Sequence, residues 1–352
     1  MNKTMSSMER VLTALSFKEP DRVPMFLLLS LYGANEMKMT PKEYFSNPEN
    51  VVEAQLKMLK KYDNDCLDSF YYAGIEFEAW GGKTIFKNDA PPVSGRPNIR
   101  SLEDIDNLKV PNVNESPSLL KVLKTIRMMK DKVGDQVPIV GVVMSPFSFP
   151  VIQMGFDRYL DLIYSDELRF NRLMKFNEEF CIEWANAQID AGATVIAYFD
   201  PMSSPTIVPK ELYLKTGYEI SKRTISKING PVTTHFASAI TLPIIDEIIE
   251  TGSVVVGVSC TEDLNKLKEK CNGKITILGN LNGIEMCRWT SDDTERIIKD
   301  LIRKAATGGG LIISDNHGEI PMQVPEQVLL DIATNIKKWG TYPLDWVDND
   351  EQ

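Results

Sequence analysis

Eight short apolar runs separated by helical patterns are the feature that most restricts the fold of this chain. The runs are rich in Val and Ile and do not alternate with polar residues, which is typical of parallel strands buried on both faces. Eight such strands close a β/α barrel, and no GxGxxG pattern follows any of them to favour the alternative, an open doubly wound sheet. We therefore predict an α/β fold, a single (β/α)8 TIM barrel, with strands at residues 23–29, 65–70, 139–144, 194–199, 232–235, 254–258, 275–278 and 311–314.

Helical patterns with recognisable ends lie between these runs. Leu173, Phe176, Phe180 and Trp184 recur three or four residues apart, which predicts one apolar helix face. Gly192 follows at a position typical of a helix C-cap. The alternation of such helices with the apolar runs is what the barrel requires.

Two stretches exceed a simple strand–helix repeat. Residues 1–20 are predicted to form an N-terminal helical extension, and residues 71–117 a Gly- and Pro-rich loop after the second strand. A long loop after a barrel strand lies on the carboxyl rim, where function concentrates. Since no linker or internal repeat interrupts the chain, we predict one domain over residues 1–352.

Composition excludes several partners and compartments. The net charge is −10 without a local basic cluster, which argues against a nucleic-acid surface. No apolar run reaches the length of a membrane span, and the N-terminus has no signal-peptide pattern. Five cysteines without a CxxC spacing favour reduced thiols, so we expect a cytoplasmic protein, and a homodimer is compatible with this interpretation.

The ends of the predicted strands carry polar residues that should meet in one barrel mouth. Both histidines of the chain are among them, and imidazole serves there as a metal ligand or as a proton donor. We expect Asp200 and His317 to act in catalysis, and Ser30 and Asp68 to contact substrate. The polar strand ends are Ser30, Asp68, Ser145, Asp200, His235, Cys260 and His317.

Four of these residues also have a structural interpretation. His235 could be a buried imidazole bonded to a carbonyl, and His317, before Gly318, a turn residue. Asp200 could cap the next helix, and a small buried thiol is the favoured interpretation of Cys260.

Glu76 and Glu78 provide a second cluster. In an extended loop, a spacing of two puts both carboxylates on one face. Together with two imidazoles they form a nitrogen and oxygen set that suits zinc, although two solvated surface acids remain the alternative. Trp80 and Tyr198 could line the apolar wall of the same site or belong to the core.

Several motifs together resemble the uroporphyrinogen decarboxylase family of barrels over about residues 8–338. The motifs are MERV at 8–11, PDRVP at 20–24, GATVIAYFDP at 192–201, LGNLNG at 278–283, NHG at 316–318 and PEQV at 325–328. The resemblance implies the barrel fold and an enzyme.

The family has two branches, and the resemblance is closer to one of them. Porphyrin decarboxylases carry arginines after the first strand, whereas residues 28–33 read LLSLYG. The corrinoid-dependent methyltransferases hold zinc with a His-x-Cys and a later Cys. Here His235 is kept, Ala237 replaces the first cysteine and His317 stands at the second, while GIEFEAWG at 74–81 resembles that branch's paired-glutamate segment.

The resemblance implies a zinc-dependent methyltransferase that moves a methyl group between a small methylated substrate and the cobalamin of a corrinoid protein. Zinc would be held by His235 and His317 with Glu76 or Glu78. Without thiolates such a zinc is a stronger Lewis acid, which favours an O-methyl substrate. A metal-free decarboxylase or other lyase is the second interpretation, and a catalytically silent binding barrel the third.

Overall fold

The computed structural model describes residues 4–315 and 318–349, the last two by their backbone alone. In this part of the chain, seven parallel strands form one curled sheet in the order β1-β4-β5-β6-β7-β8-β9. A separate antiparallel hairpin joins β2 to β3. The strands are β1 (Leu67–Asp68), β2 (Thr84–Ile85), β3 (Val93–Ser94), β4 (Ile139–Met144), β5 (Val195–Phe199), β6 (Val232–His235), β7 (Val255–Gly257), β8 (Thr276–Leu278) and β9 (Leu311–Ile312).

Residues 23–29 close the barrel between β9 and β1, but not as the regular strand that the sequence predicts. One side has a single parallel bridge, between Met25 and Ile313. On the other side the Asp65 N–H donates to the Met25 carbonyl, and the Asn64 side chain bonds both backbone groups of Leu27. Pro24 lacks an N–H, so a continuous ladder is interrupted here and side chains replace part of it.

Helices surround the sheet as the alternating pattern predicts. The long helix α10 ends at Gly192, whose φ of 115° is the left-handed C-cap expected there. The helices are α1 (Ser7–Leu15), α2 (Tyr32–Met37), α3 (Pro41–Tyr44), α4 (Pro48–Lys61), α5 (Gly74–Ala79), α6 (Glu103–Asp106), α7 (Pro117–Val133), α8 (Pro150–Met154), α9 (Phe156–Ser165), α10 (Glu167–Ala191), α11 (Lys210–Lys215), α12 (Gly217–Ile225), α13 (Ile245–Glu250), α14 (Leu264–Cys271), α15 (Ser291–Ala305), α16 (Glu326–Trp339) and α17 (Asp345–Asn349). Short 3₁₀ turns occur at Val113–Glu115, Pro201–Ser203, Leu242–Ile244 and Glu285–Arg288.

The N-terminal helix α1 lies across the amino end of the barrel. Arg10 on this helix is buried and pairs with Asp65 at 2.6 Å and with Asp21 at 2.6 Å. Arg22 bonds the other oxygen of Asp65 at 2.8 Å. Because each buried charge has an opposite partner, the pairs fix α1 to the barrel without leaving an uncompensated ion.

The predicted long loop at residues 71–117 is more regular than expected. It contains α5, the β2–β3 hairpin, α6 and one 3₁₀ turn. In the described residues no helix combines the length and the apolar character that crossing a bilayer requires.

Successive residues of each strand face alternately the barrel interior and the surrounding helices. On β4 the side chains of Val140, Val142 and Met144 face inward, whereas Val143 packs in the outer core. This alternation decides which strand-end residues reach the interior.

Candidate functional site

A cavity of about 270 Å³ occupies the barrel interior and continues to its carboxyl end. Most of its wall is apolar. The ionisable side chains on the wall are few and lie mainly at the carboxyl end: Cys66, Asp68, Tyr72, His235 and Glu319. Such a cavity, apolar with a few converging polar groups, is the usual form of a small-molecule site.

Asp68 ends β1 with its side chain turned inward. One carboxylate oxygen accepts the N–H of Phe70 at 2.9 Å. Burial, and to a lesser extent the negative charges of Glu319 and Asp315, raise the pKa of Asp68 to about 7 against the opposing effect of the Phe70 bond. Asp68 can therefore both hold and release a proton near neutral pH.

Glu319 is a second inward carboxyl that the sequence analysis did not identify. Its Oε1 accepts the Ser30 hydroxyl at 2.9 Å and the Leu31 N–H at 3.0 Å. Burial, and to a lesser extent Asp315, raise the pKa of Glu319 to about 7. Ser30, expected to contact substrate, is thus seen to hold Glu319. The sequence signal that could have indicated Glu319 is its position, since it is an acidic residue shortly after the last predicted strand at residues 311–314.

His235 ends β6 and also lies on the cavity wall. Gly257 on the neighbouring strand leaves room for the ring, since a Cβ at that position would lie 2.4 Å from the His235 Cδ2. The ring stacks on Phe199 with centroids 5.7 Å apart. These contacts fix the plane of the imidazole.

The Ala237 N–H donates to Nδ1 of His235 at 3.0 Å. Ala237 adopts a left-handed φ of 53°, which turns its N–H back toward the ring. Because Nδ1 accepts, the proton of the neutral ring is on Nε2. His235 is therefore arranged as a hydrogen-bond donor.

His317 lies outside the described residues, so its predicted roles as ligand and catalytic group stay predictions. The residue after it, Gly318, belongs to the cavity wall. A Cβ at Gly318 would lie 3.1 Å from Phe199 and 3.8 Å from the His235 ring, so this backbone passes close to the imidazole.

Asp200 does not line the cavity, although it ends β5 as predicted. Phe199 faces inward, so the next side chain points out to the helices. Its carboxylate accepts hydroxyl bonds from Ser145 at 2.5 Å, from Ser148 at 2.7 Å and from Ser221 at 3.3 Å. Burial raises the pKa of Asp200, and these hydroxyl bonds oppose the rise.

Tyr198 and Trp80 are core residues and not part of the cavity wall. Tyr198 faces outward from β5 and its hydroxyl lies 3.3 Å from that of Ser221. Trp80 packs against Phe149 and Phe180. The interpretation of both as core side chains is the one that the structure supports.

Glu76 and Glu78 do not share a face, because their segment is the helix α5 and not an extended loop. Residues two apart on a helix point about 200° from one another. Glu76 is buried, accepts the Met144 N–H at 2.9 Å and has its pKa raised to about 8 by burial. Glu78 accepts the Tyr72 hydroxyl at 3.0 Å. Neither carboxylate is on the cavity wall.

Comparison with known proteins gives a family and a fold. The family model described as uroporphyrinogen decarboxylase (URO-D) matches residues 6–339. Curated proteins named uroporphyrinogen decarboxylase are similar: one from Solibacter usitatus is 26% identical over 81% of this chain and 83% of its own length. Another, from Geobacter sulfurreducens, is 25% identical over 91% of this chain and 96% of its own.

Among solved structures, a methyltransferase from Methanosarcina mazei is similar with a TM-score of 0.84 and 20% identity, over 95% of this chain and 99% of that one. A B12-independent methionine synthase from Shewanella gives a TM-score of 0.52 at 12% identity, over 96% of both chains. At these identities the likeness establishes the barrel fold alone.

Proposed function

This chain belongs to the uroporphyrinogen decarboxylase (URO-D) family, and we propose that it is a methyltransferase that moves a methyl group between a small methylated substrate and a corrinoid carried by a partner protein. An O-methyl compound is the substrate class that we favour. The proposal agrees with the family, with the fold shared with a methyltransferase, and with the chemistry of the cavity.

The charge of the cavity wall is the observation that carries this proposal. Among the described wall residues there is no Lys and no Arg, while Asp68 and Glu319 are both carboxyls. A porphyrin that bears several carboxylates needs cationic partners, above all bidentate arginines. A small substrate without negative charge needs none, and it fits a wall of this kind.

Asp68 is assigned the proton transfer. A corrinoid bound at the rim would supply the nucleophile for the methyl group. As the bond from carbon to the substrate oxygen breaks, its electron pair stays on oxygen, and a proton delivered there stabilises the leaving group. With a pKa of about 7, Asp68 is substantially protonated at neutral pH. It gives its proton to the leaving oxygen and ends the step as a carboxylate.

His235 is assigned a positioning role on the same oxygen. Its neutral ring carries the proton on Nε2, because the Ala237 N–H occupies Nδ1. A donor in a fixed plane, held by Phe199, orients an ether or alcohol oxygen without being consumed.

The described side chains do not fit the predicted zinc ligand set. Glu76 and Glu78 are bonded elsewhere, and in the neutral form of His235 the Nε2 lone pair is not available to a metal. Across residues 4–315 and 318–349, no group of three or more His, Cys, Asp or Glu side chains is arranged to hold an ion. The proposed steps therefore do not pass through zinc. Zinc stays a prediction, tested by the metal content of the protein and of His235→Ala.

We infer that the partner protein would dock at the carboxyl rim. Pro91 and Pro92, in the loop that joins β2 to β3, belong to the cavity wall, and Pro91 is exposed, so the cavity reaches the surface there. Asp68 and His235 lie at this end of the cavity, so a methyl group held beside them would be approached from the carboxyl rim.

A decarboxylase is the second candidate, because the curated relatives carry that name over most of this chain. In that reaction the same Asp68 would protonate the carbon that loses carbon dioxide. The two candidates differ in the charge of the substrate that enters the cavity: a porphyrin carries several carboxylates, whereas the proposed methyl compound carries no negative charge.

The experiment mixes purified protein with cob(I)alamin and one of three probes, methanol, methoxybenzene or hexyl methyl ether, and follows methylcobalamin by its absorbance. We expect methylation faster than without protein for at least one of these three O-methyl probes. Decarboxylation of uroporphyrinogen without methylation would establish the second candidate instead. Absence of both reactions would favour the silent binding barrel.

A further inference from the structure

The two faces of the barrel wall are packed differently. Outward strand residues such as Val143, Ile196 and Val256 are fully buried. The inward apolar residues are each still 3–6% exposed although they lie inside the barrel: Phe26, Cys66, Val140, Val255, Leu278 and Ile312. Side chains normally fill a TIM-barrel interior in layers. Here the interior, which we call the lumen, is hollow.

Small inward side chains explain the hollow lumen. Val142, Val195 and Ala197 face inward on the neighbouring strands β4 and β5 and are all partly accessible. None of them reaches far across the barrel. Val11 and Leu15 of α1 line the amino end of the cavity with apolar surface.

The lumen is continuous with the polar carboxyl end. One cavity is lined both by Val11 near the amino end and by His235 and Glu319 at the other. From Val140 to Met144 the inward wall of β4 extends about 13 Å. A molecule whose polar group meets Asp68 therefore has room behind that group.

The size and polarity of the lumen favour an apolar occupant over water. Apolar cavities of about 150 Å³ take up benzene and stay dry, whereas a buried water needs two to four polar partners. This cavity measures about 270 Å³, and its middle is lined mostly by aliphatic carbon.

We propose that the lumen binds an apolar part of the substrate, an alkyl chain or a single aromatic ring, with the methyl-bearing oxygen held at Asp68 and His235. This substrate class, an amphiphilic methyl ether, rests on the proposed methyl transfer for the identity of its polar end. Binding in the lumen itself needs no corrinoid, so it can be measured separately.

The test measures binding of a series of n-alkyl methyl ethers, from butyl to octyl, by calorimetry without corrinoid. Each methylene that enters the lumen should tighten binding about fourfold, until the chain fills the space. Ala197→Phe fills the lumen and should remove most of this gain. Leu168→Phe is the matched control, because Leu168 on α10 is 83% exposed and lies outside the cavity.

Val142→Ala provides a second variant that enlarges the lumen and should move the longest well-bound ether to a longer chain. Affinity that does not depend on chain length, or that is the same in Ala197→Phe and wild type, would overturn the lumen site even if methyl transfer occurs. Chain-length dependence without methylation of cob(I)alamin would leave the lumen site standing and remove the proposed reaction.

Discussion

Asp68 and Asp200 both end parallel strands and both are buried, yet they lie on opposite faces of the barrel wall. Asp68 faces the cavity, where it accepts one backbone N–H and where the negative charge of Glu319 helps to raise its pKa. Asp200 faces the helices, where three serine hydroxyls bond it. Position at a strand end therefore does not by itself place a residue in the site; the face of the strand decides.

The two carboxyls also differ in how well their surroundings satisfy them. A carboxylate with several hydroxyl donors contributes to stability, whereas a carboxyl with few donors and a charged neighbour is adapted to exchanging a proton. We therefore expect substitutions at these two positions to separate activity from stability.

Asp68→Asn should have the largest effect. Loss of a general acid is expected to reduce the rate of methyl transfer about 10²–10⁴-fold. The fold should be kept, because Asn retains an acceptor for the Phe70 N–H. Stopped-flow absorbance measures the rate, and circular dichroism checks the fold. A rate within threefold of wild type would remove Asp68 from the mechanism.

Asp200→Ala should instead destabilise the fold, by about 2–4 kcal/mol, because buried hydroxyls lose their acceptor. The free energy of unfolding in urea gives the value, with Asp200→Asn as the milder control. If Asp200→Asn keeps wild-type stability and still loses activity as Asp68→Asn does, the assignment of the two faces is contradicted.

The pH dependence should identify Asp68 directly. Since the acid form donates the proton, the rate should fall about tenfold per pH unit above about 7. The same raised pKa means that the folded protein binds this proton more tightly than the unfolded chain does. The free energy of unfolding should therefore decrease as pH rises from about 4 to about 7. In Asp68→Asn the decline of the rate should disappear, and the decline of the unfolding free energy should shrink to the share of Glu319 and Glu76, whose pKa values are also raised. Unchanged profiles would assign both declines to another group.

Glu78→Gln should have the smallest effect. Glu78 is half-buried and accepts one hydroxyl, so unfolding should change by less than about 1 kcal/mol and activity by less than threefold. Zinc analysis and the methylation assay check this variant. Loss of both bound zinc and activity would restore Glu78 as the ligand that the sequence predicts.

The fold could be predicted because its signal is repeated along the chain. Apolar runs separated by helices predict the parallel barrel, and Gly192 marks the end of α10. Residues 23–29 were the exception, since Pro24 and the side chain of Asn64 alter the ladder in a way that apolar composition does not reveal.

The site could be predicted only in part. On β5 both faces are apolar, with Val195 and Ala197 inward and Ile196 and Tyr198 outward, so no pattern indicates which way Asp200 points. In the same way, α5 is a short helix without a side-chain cap and gives no strong local signal against a loop. His235 and Asp68 were correctly placed on the cavity wall, because strand ends converge in any parallel barrel.

The most direct measurement is the rate at which cob(I)alamin is methylated by hexyl methyl ether, compared among wild type, Asp68→Asn and Asp200→Asn below neutral pH. We expect methylcobalamin with wild type, a loss of at least about 100-fold in Asp68→Asn, and a much smaller loss in folded Asp200→Asn. Equal rates in wild type and Asp68→Asn, or a loss of activity in Asp200→Asn but not in Asp68→Asn, would contradict the assignment of Asp68 as the proton donor.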